Sequence, residues 1–332
     1  MARATVQDVA KTAGVSVGTV SRVLNGSPAV SAASKAKVAG AIRKLNYRPL
    51  ASARDLRRDR TMRILALAKN LNSPIISEAF RGFGDAAAVS GYVSLIAPTS
   101  GDLEREQQLV NMLRNGSVDG LVMFSPAMAD ADIEALAGQL SVVQLCEIAE
   151  SESAFGVSID DRQAALDITR HLISTGSRRL AMIGNRAARS GSLREEGFRR
   201  ALAEADLSPT QLLFAEGEFD FHAGRRLTRE LLSRAPLPDA IFCGSDTVAA
   251  GCVREVTDAG LRVPEDIAVA GFDDSIQAEM CVPELTTIRQ PAYEMGRVAF
   301  DALLARMTER GEHRRGRSFL PHKLIVRGST KG

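Results

Sequence analysis

The chain is poor in the residues that build metal centres and disulfide frameworks. Its four cysteines (Cys146, Cys243, Cys252 and Cys281) form no Cys-x-x-Cys pair and stand inside apolar segments. Buried free thiols in a reducing compartment are therefore expected, with disulfides the lesser alternative. Its four histidines (His171, His222, His313 and His322) lack metal-ligand spacing, so no metal and no cofactor is expected. The apolar stretches are short and interrupted, which excludes a transmembrane helix. The opening residues, Met1-Ala-Arg-Ala-Thr-Val-Gln-Asp, lack the apolar run of a secretory signal, and a cytoplasmic location follows as the expectation. No nucleophile motif is present.

What is there is ordinary in bulk and uneven in charge. A chain of 332 residues, 45% hydrophobic and 25% charged, is long enough for two or three globular units. Its net charge of +2 hides an asymmetry: residues 1–60 carry twelve basic against three acidic residues, whereas the remainder is net acidic. A small basic head on a mildly acidic body points to a polyanion as partner of the head alone.

The head reads as three short helices. Thr5-Val-Gln-Asp8 is a capping-box-like start, and Val6, Val9, Ala10 and Ala13 follow at helical spacing. Gly14 breaks that helix, Ser16 caps the next, and Val20, Val23 and Leu24 turn toward a core. Asn25-Gly-Ser-Pro28 stops the second helix, and a third runs from Ser31 to about Asn46. A small residue at the helix crossing (Ala10), a turn residue at the corner (Gly14) and an apolar plug (Val20) are the three requirements of a helix-turn-helix. The second helix then offers Val17, Gly18, Ser21 and Arg22 to the major groove, with Arg22 suited to guanine O6 and N7. Thr5, Ser16, Thr19, Ser21, Asn25 and Ser31 are short polar groups near helix starts and suit phosphate oxygens. Singly, each of these hydroxyls reads as a plain helix cap and Arg22 as a solvated residue; it is the constellation that points to DNA.

These residues carry a resemblance. Thr5-Val-Gln-Asp-Val-Ala-Lys-Thr-Ala-Gly-Val-Ser16, Thr19-Val-Ser-Arg-Val-Leu-Asn-Gly26, Val30-Ser31 and Leu45-Asn-Tyr-Arg-Pro49 resemble the headpiece of the lac repressor (LacI/GalR) family. Val17 and Gly18 fall at positions that vary in that family and help set operator choice. Leu50-Ala-Ser-Ala-Arg-Asp-Leu56 resembles the family's hinge helix, with Leu56 at the position of a leucine that wedges between base pairs. The family usually has Asn after the proline, and here Leu50 replaces it, so the hinge starts later or is weaker.

From Met62 onward, strand-length apolar runs (64–68, 93–97, 120–124, 142–146, 156–159, 180–183, 212–215, 240–243 and 267–270) alternate with helical stretches, the pattern of a parallel α/β sheet. Their number exceeds one doubly wound domain and implies two similar lobes. Segments such as Val157-Ser-Ile-Asp-Asp161, Val263-Pro-Glu-Asp266, Gly271-Phe-Asp-Asp274 and Leu285-Thr-Thr-Ile-Arg-Gln-Pro291 extend the resemblance to nearly the whole chain. It implies an α/β fold: a three-helix helix-turn-helix headpiece (1–47), a hinge helix and linker (48–60), and a two-lobed, periplasmic-binding-protein-like body with parallel sheets (61–332). Lobe one comprises about 61–159 and 291–320, and lobe two about 160–289 and 321–330. Carried over position by position, Arg194 resembles the arginine that bonds the effector, Asp273 the carboxylate facing it, and Phe219 the ring that stacks on the ligand. Ile75 and Ile76 replace a commonly aromatic pair, Ser245 stands where Asn is common, and Ser125 and Glu147 are further pocket positions at strand ends.

The implied function is a dimeric repressor that binds a near-palindromic double-stranded operator and responds to a sugar, sugar derivative or nucleoside, without enzymatic activity. Rival readings fail on the same residues. Gly82-Phe-Gly84-Asp-Ala-Ala87 imitates a dinucleotide fingerprint but falls inside a stretch already helical from about Ile76. The pairs Asp160/Asp161 and Glu195/Glu196 are expected to be a loop and a solvated helix face. A secreted solute-binding protein would not carry the head, and a sequence-neutral DNA binder would not need the body.

Overall fold

The computed structural model describes residues 4–24, 27–47, 60–69, 71–149, 153–214, 219–308 and 315–330. Asn25, Leu50 and Leu56, and with them the hinge segment, lie outside the described residues. Two compact units divide the chain, Met1–Thr61 and Met62–Gly332.

The first unit holds α1 (Val6–Ala13), α2 (Val17–Leu24) and α3 (Ala32–Lys44). The start of α1 is a full capping box: the Thr5 hydroxyl accepts from Asp8 N–H and the Asp8 carboxylate accepts from Thr5 N–H at 2.8 Å. Helix α1 stops at Gly14, whose φ of +64° few other residues tolerate, and whose N–H returns to the carbonyls of Ala10 and Lys11. Val9, Ala10, Ala13, Val20, Val38 and Ala41 form a small buried core, to which each helix contributes.

The second unit is built from β1 (Arg63–Ala68), α4 (Pro74–Val89), β2 (Val93–Pro98), α5 (Leu103–Arg114), β3 (Gly120–Met123), α6 (Asp130–Ala137), β4 (Val142–Leu145) and β5 (Phe155–Ser158). There follow α7 (Asp161–Ser174), β6 (Leu180–Gly184), α8 (Arg189–Glu204), β7 (Gln211–Phe214), α9 (Phe221–Leu232), β8 (Ala240–Cys243) and α10 (Asp246–Asp258). The chain continues through β9 (Ala268–Ala270), α11 (Ile276–Met280), β10 (Thr287–Arg289), α12 (Ala292–Thr308), β11 (Arg317–Phe319) and β12 (Lys323–Ile325). One parallel sheet has the order β11-β5-β4-β3-β1-β2, a second has β7-β6-β8-β9, and β10 pairs antiparallel with β12. The chain leaves the first sheet after β5, α12 returns to pack on it, and β11 joins its far edge before β12 departs.

Nearly every strand residue of β1, β3, β4, β6 and β8 is buried, as parallel strands covered by helices on both faces require. Helix α4 begins at Pro74, earlier than the expected start near Ile76, because Pro at the first helical position forfeits no intrahelical hydrogen bond. Gly82 lies in the middle of that helix. A Cβ there would stand 2.0 Å from the carbonyl oxygen of Tyr293, so this glycine permits α4 and α12 to pack closely and belongs to no phosphate loop.

All four cysteines are free; Cys243 and Cys252 are buried, whereas Cys146 and Cys281 are only half-buried. Among the described residues no group of ligating side chains could hold a metal ion, and no helix is long and apolar enough to cross a membrane.

Candidate effector cavity and DNA-facing helix

In the first unit, Ser16, Val17, Gly18 and Arg22 are exposed along α2, with Thr19 and Ser21 half-buried beside them. Val17 is exposed, with 43% of its surface open to solvent. The Ser16 hydroxyl accepts from Thr19 N–H at 3.1 Å and lies 2.9 Å from the Thr19 hydroxyl; Ser31 caps α3 by accepting from Ser34 N–H at 3.2 Å. Thr5, exposed, is engaged with Asp8.

In the second unit, Ile75, Ile76, Ser125, Glu147, Arg194, Phe219, Ser245 and Asp273 line one cavity of about 890 Å³. They come from seven places in the sequence because the sheets bring their carboxyl ends to a common crevice. Ser125, Glu147, Ser245 and Asp273 follow β3, β4, β8 and β9 directly, and Ile75 and Ile76 open the helix after β1. Such a volume is typical of small-molecule sites.

Arg194 is the best-anchored cation in the cavity. Its Nε donates to Asp161 Oδ1 at 2.8 Å, one terminal nitrogen donates to the Gly244 carbonyl at 2.6 Å, and its guanidinium stacks 3.7 Å from the centre of the Phe272 ring. This corrects the expectation for Asp160 and Asp161. Asp160 does cap α7 through Gln163 N–H, but Asp161, one residue on, is turned inward and buried. Burial pushes the Asp161 carboxyl up to about 6, against the pull of Arg194. The neighbouring pair also divides: Glu196 is exposed and meets Arg162, whereas Glu195 is buried between Arg186 and Arg199.

Asp273 accepts from Gln290 Nε2 at 2.7 Å and adopts a φ of +114°. Burial pushes its carboxyl up to about 7; Arg194 opposes the shift, while Asp246 and Asp161 add to it. Glu147 accepts from the Ser190 N–H at 3.0 Å and from the Ser190 hydroxyl, so it bridges the end of β4 to the start of α8. Ser245 does double duty, lining the cavity while capping α10 through Val248 N–H at 3.3 Å. Burial also raises the pKa of the Cys146 thiol, another lining residue, which makes it a poor nucleophile. Asp161 and Gln290, which hold Arg194 and Asp273, are among the cavity residues not singled out from the sequence. Both lie in quoted segments, Val157-Ser-Ile-Asp-Asp161 and Leu285-Thr-Thr-Ile-Arg-Gln-Pro291, so a signal was present but not which way each side chain faces.

Residues 5–49 match the model of the bacterial regulatory proteins, lacI family, and residues 169–330 match that of a periplasmic binding protein-like domain. The HTH-type transcriptional repressor CytR of Escherichia coli (strain K12) is 34% identical, over 99% of this chain and 96% of its own length. Catabolite control protein A of Priestia megaterium is 32% identical, over 98% and 99%. The crystal structure of the lac repressor dimer bound to operator and the anti-inducer ONPF is 27% identical and superposes with a TM-score of 0.87, covering 100% of both chains.

Proposed function

The chain belongs to the lacI family of bacterial regulatory proteins, and from that premise we propose how it works as a DNA-binding transcriptional repressor. Two copies grip a near-palindromic operator in the cytoplasm, one α2 per half-site. Val17, Gly18, Ser21 and Arg22 face the base edges. Thr5, Ser16, Thr19, Asn25 and Ser31 meet phosphates, and Leu56 is the minor-groove wedge. A small effector in the cavity changes operator affinity through a coupling of ~1–3 kcal/mol, the usual size for such switches.

What supports an effector site is the convergence of a guanidinium, a carboxylate and a phenyl ring, Arg194, Asp273 and Phe219, on one cavity. A polar fork, an acceptor and a ring face are complementary to a sugar, a sugar derivative or a nucleoside. The lining also has a charge preference: Asp130, Glu147, Asp161, Asp220 and Asp273 outnumber Lys69, Arg189 and Arg194. A neutral ligand suits this better than a phosphorylated one. We read the cavity as binding rather than catalytic, in keeping with a family of regulatory proteins.

The test is a thermal-shift titration of the full chain against neutral sugars, nucleosides and sugar phosphates. A ligand at a hundred times its Kd stabilises the native state by about 2.7 kcal/mol. We expect a neutral hit whose shift vanishes in Arg194→Ala while operator binding persists. Hits confined to the phosphates would overturn the charge argument, and an undiminished shift in Arg194→Ala would overturn the site.

A further inference from the structure

We propose that Asp246 is the positioning residue of this cavity: its buried carboxylate fixes residues 271–275 so that Asp273 is presented to the ligand, and ties them to the β10 crossing between the lobes. The proposal rests on the cavity being the effector site. Asp246 itself sits behind Ser245 and Thr247, which line the cavity.

Asp246 is fully buried at the start of α10, and every polar atom it directs toward the loop is used. Its N–H donates to the Phe272 carbonyl at 2.8 Å. Its Oδ2 accepts from Ser275 N–H at 2.7 Å and from the Ser275 hydroxyl at 3.0 Å. Its Oδ1 accepts from the Thr287 hydroxyl at 2.6 Å, and Thr287 Oγ1 in turn accepts from Asp274 N–H at 3.3 Å. One carboxylate thus joins the helix, the loop and the strand that runs into Gln290, the partner of Asp273.

Two backbone features show that this arrangement is built in. A Cβ on Gly271 would stand 2.3 Å from Asp246 Oδ1, so only glycine lets the carboxylate occupy that place. Asp273 and Asp274 take φ of +114° and +55°, values that side-chain-bearing residues keep only where their surroundings dictate them. Asp246 supplies that constraint from both sides, through Phe272 before the pair and Ser275 after it.

Asp246 acts on Asp273 through charge as well. Arg194 from α8, Asp161 from α7, Asp246 from α10, the Gln290 amide and the Cys146 thiol after β4 face Asp273. Asp246 in turn has the Asp274 carboxylate, with the Cys243 and Cys281 thiols nearby. Burial lifts Asp273 to about 7 and the negative charge of Asp246 pushes the same way. Asp246→Asn removes that charge at constant size.

The deciding measurement uses the full-length, ligand-free protein with ¹³Cγ-labelled aspartate, the Asp273 resonance being assigned from Asp273→Asn. In Asp246→Asn the Asp273 midpoint should fall by about half a pH unit or more. Amide exchange at residues 274 and 275 should quicken about tenfold. Thr287→Val, which keeps the charge and removes one donor, should quicken the exchange while leaving the Asp273 midpoint near the wild-type value. It also serves should Asp246→Asn fail to fold. An unmoved Asp273 midpoint in Asp246→Asn, or unchanged exchange in Thr287→Val, overturns the proposal. Neither readout needs a ligand, so a cavity that binds no compound of the panel would sink the effector reading and leave this result to stand or fall alone.

Discussion

Three carboxyls, Asp161, Asp273 and Asp246, are raised by burial to about 6, 7 and 6 from an ordinary 3.8. Between those values the folded protein holds more protons than the unfolded chain. Their contribution to stability is therefore full below about pH 3.8 and is lost as pH rises through 6 to 7. Glu195, held low by its hydrogen bond to Arg186, loses its contribution only on descending below the usual carboxylate range, and so stays outside this window. His171, whose pKa burial lowers from 6.5, lies inside it and acts the other way, adding stability as pH rises. The melting temperature of the 62–332 unit should fall between about pH 4 and 7 by more in the wild type than in Asp273→Asn, a difference that isolates this carboxyl from His171; calorimetry across that range decides, and identical profiles would contradict it. The positions of Arg194 and Asp273 were legible because they stand in segments with a recognisable order. Asp161 was not, because Asp160 and Asp161 differ only by the ~100° turn that separates neighbours on a helix. One caps the helix while the other, a single step along, points to the guanidinium.

Element boundaries were legible wherever a specific residue enforces them. Thr5 and Asp8 start α1, Gly14 ends it and Ser31 starts α3, each through a hydrogen bond or backbone angle that few other residues reproduce. Parallel strands were legible as apolar runs for the opposite reason: burial on both faces leaves no room for polar residues. Helix α4 starts at Pro74, ahead of the place its periodicity indicates, because apolar periodicity begins only after the proline. The helix-turn-helix makes a prediction at this scale. Its core is small, and Val20, fully buried, is the central contribution of α2 to it, with Val23 and Leu24 packed against it. Val20→Ala leaves a cavity that α1 and α3 cannot close, at a cost of about 2 kcal/mol by the scale of large-to-small substitutions. A unit of ~60 residues has little stability to lose. Operator binding by Val20→Ala should drop steeply near 37 °C while the ligand-induced thermal shift of the body is unchanged. Equal loss of both would mean that the two units do not fold independently.

At the scale of the whole molecule, the dimer proposed above needs a surface on the body that pairs two copies, and exposed apolar side chains are where it is to be tested. Strand β2 is a free edge of the first sheet, and it shows Val93 at 58% exposure and Leu95 beside it, with Val89 at 91% on the preceding helix. In the other lobe, Ile276, Met280 and Val282 stand 60%, 73% and 88% exposed around α11. An uncovered apolar edge strand invites pairing with other chains, and proteins that remain monomeric blunt such edges with charge or proline. These residues were unreadable in the sequence, where Val93 and Leu95 look like any buried strand; only the sheet order reveals β2 as an edge. A dimer that covered both patches would tie the two lobes of one copy to those of the other. Leu95→Arg and Met280→Arg together place two cations where apolar surface must be buried. Light scattering should show the wild type as a dimer and the double variant as a monomer. Operator affinity should fall with it, because each monomer reads only a half-site and loses the second α2. A double variant that stays dimeric would move the interface elsewhere. One that becomes monomeric yet binds a full operator as tightly as wild type would break the link between pairing of the body and recognition by the head.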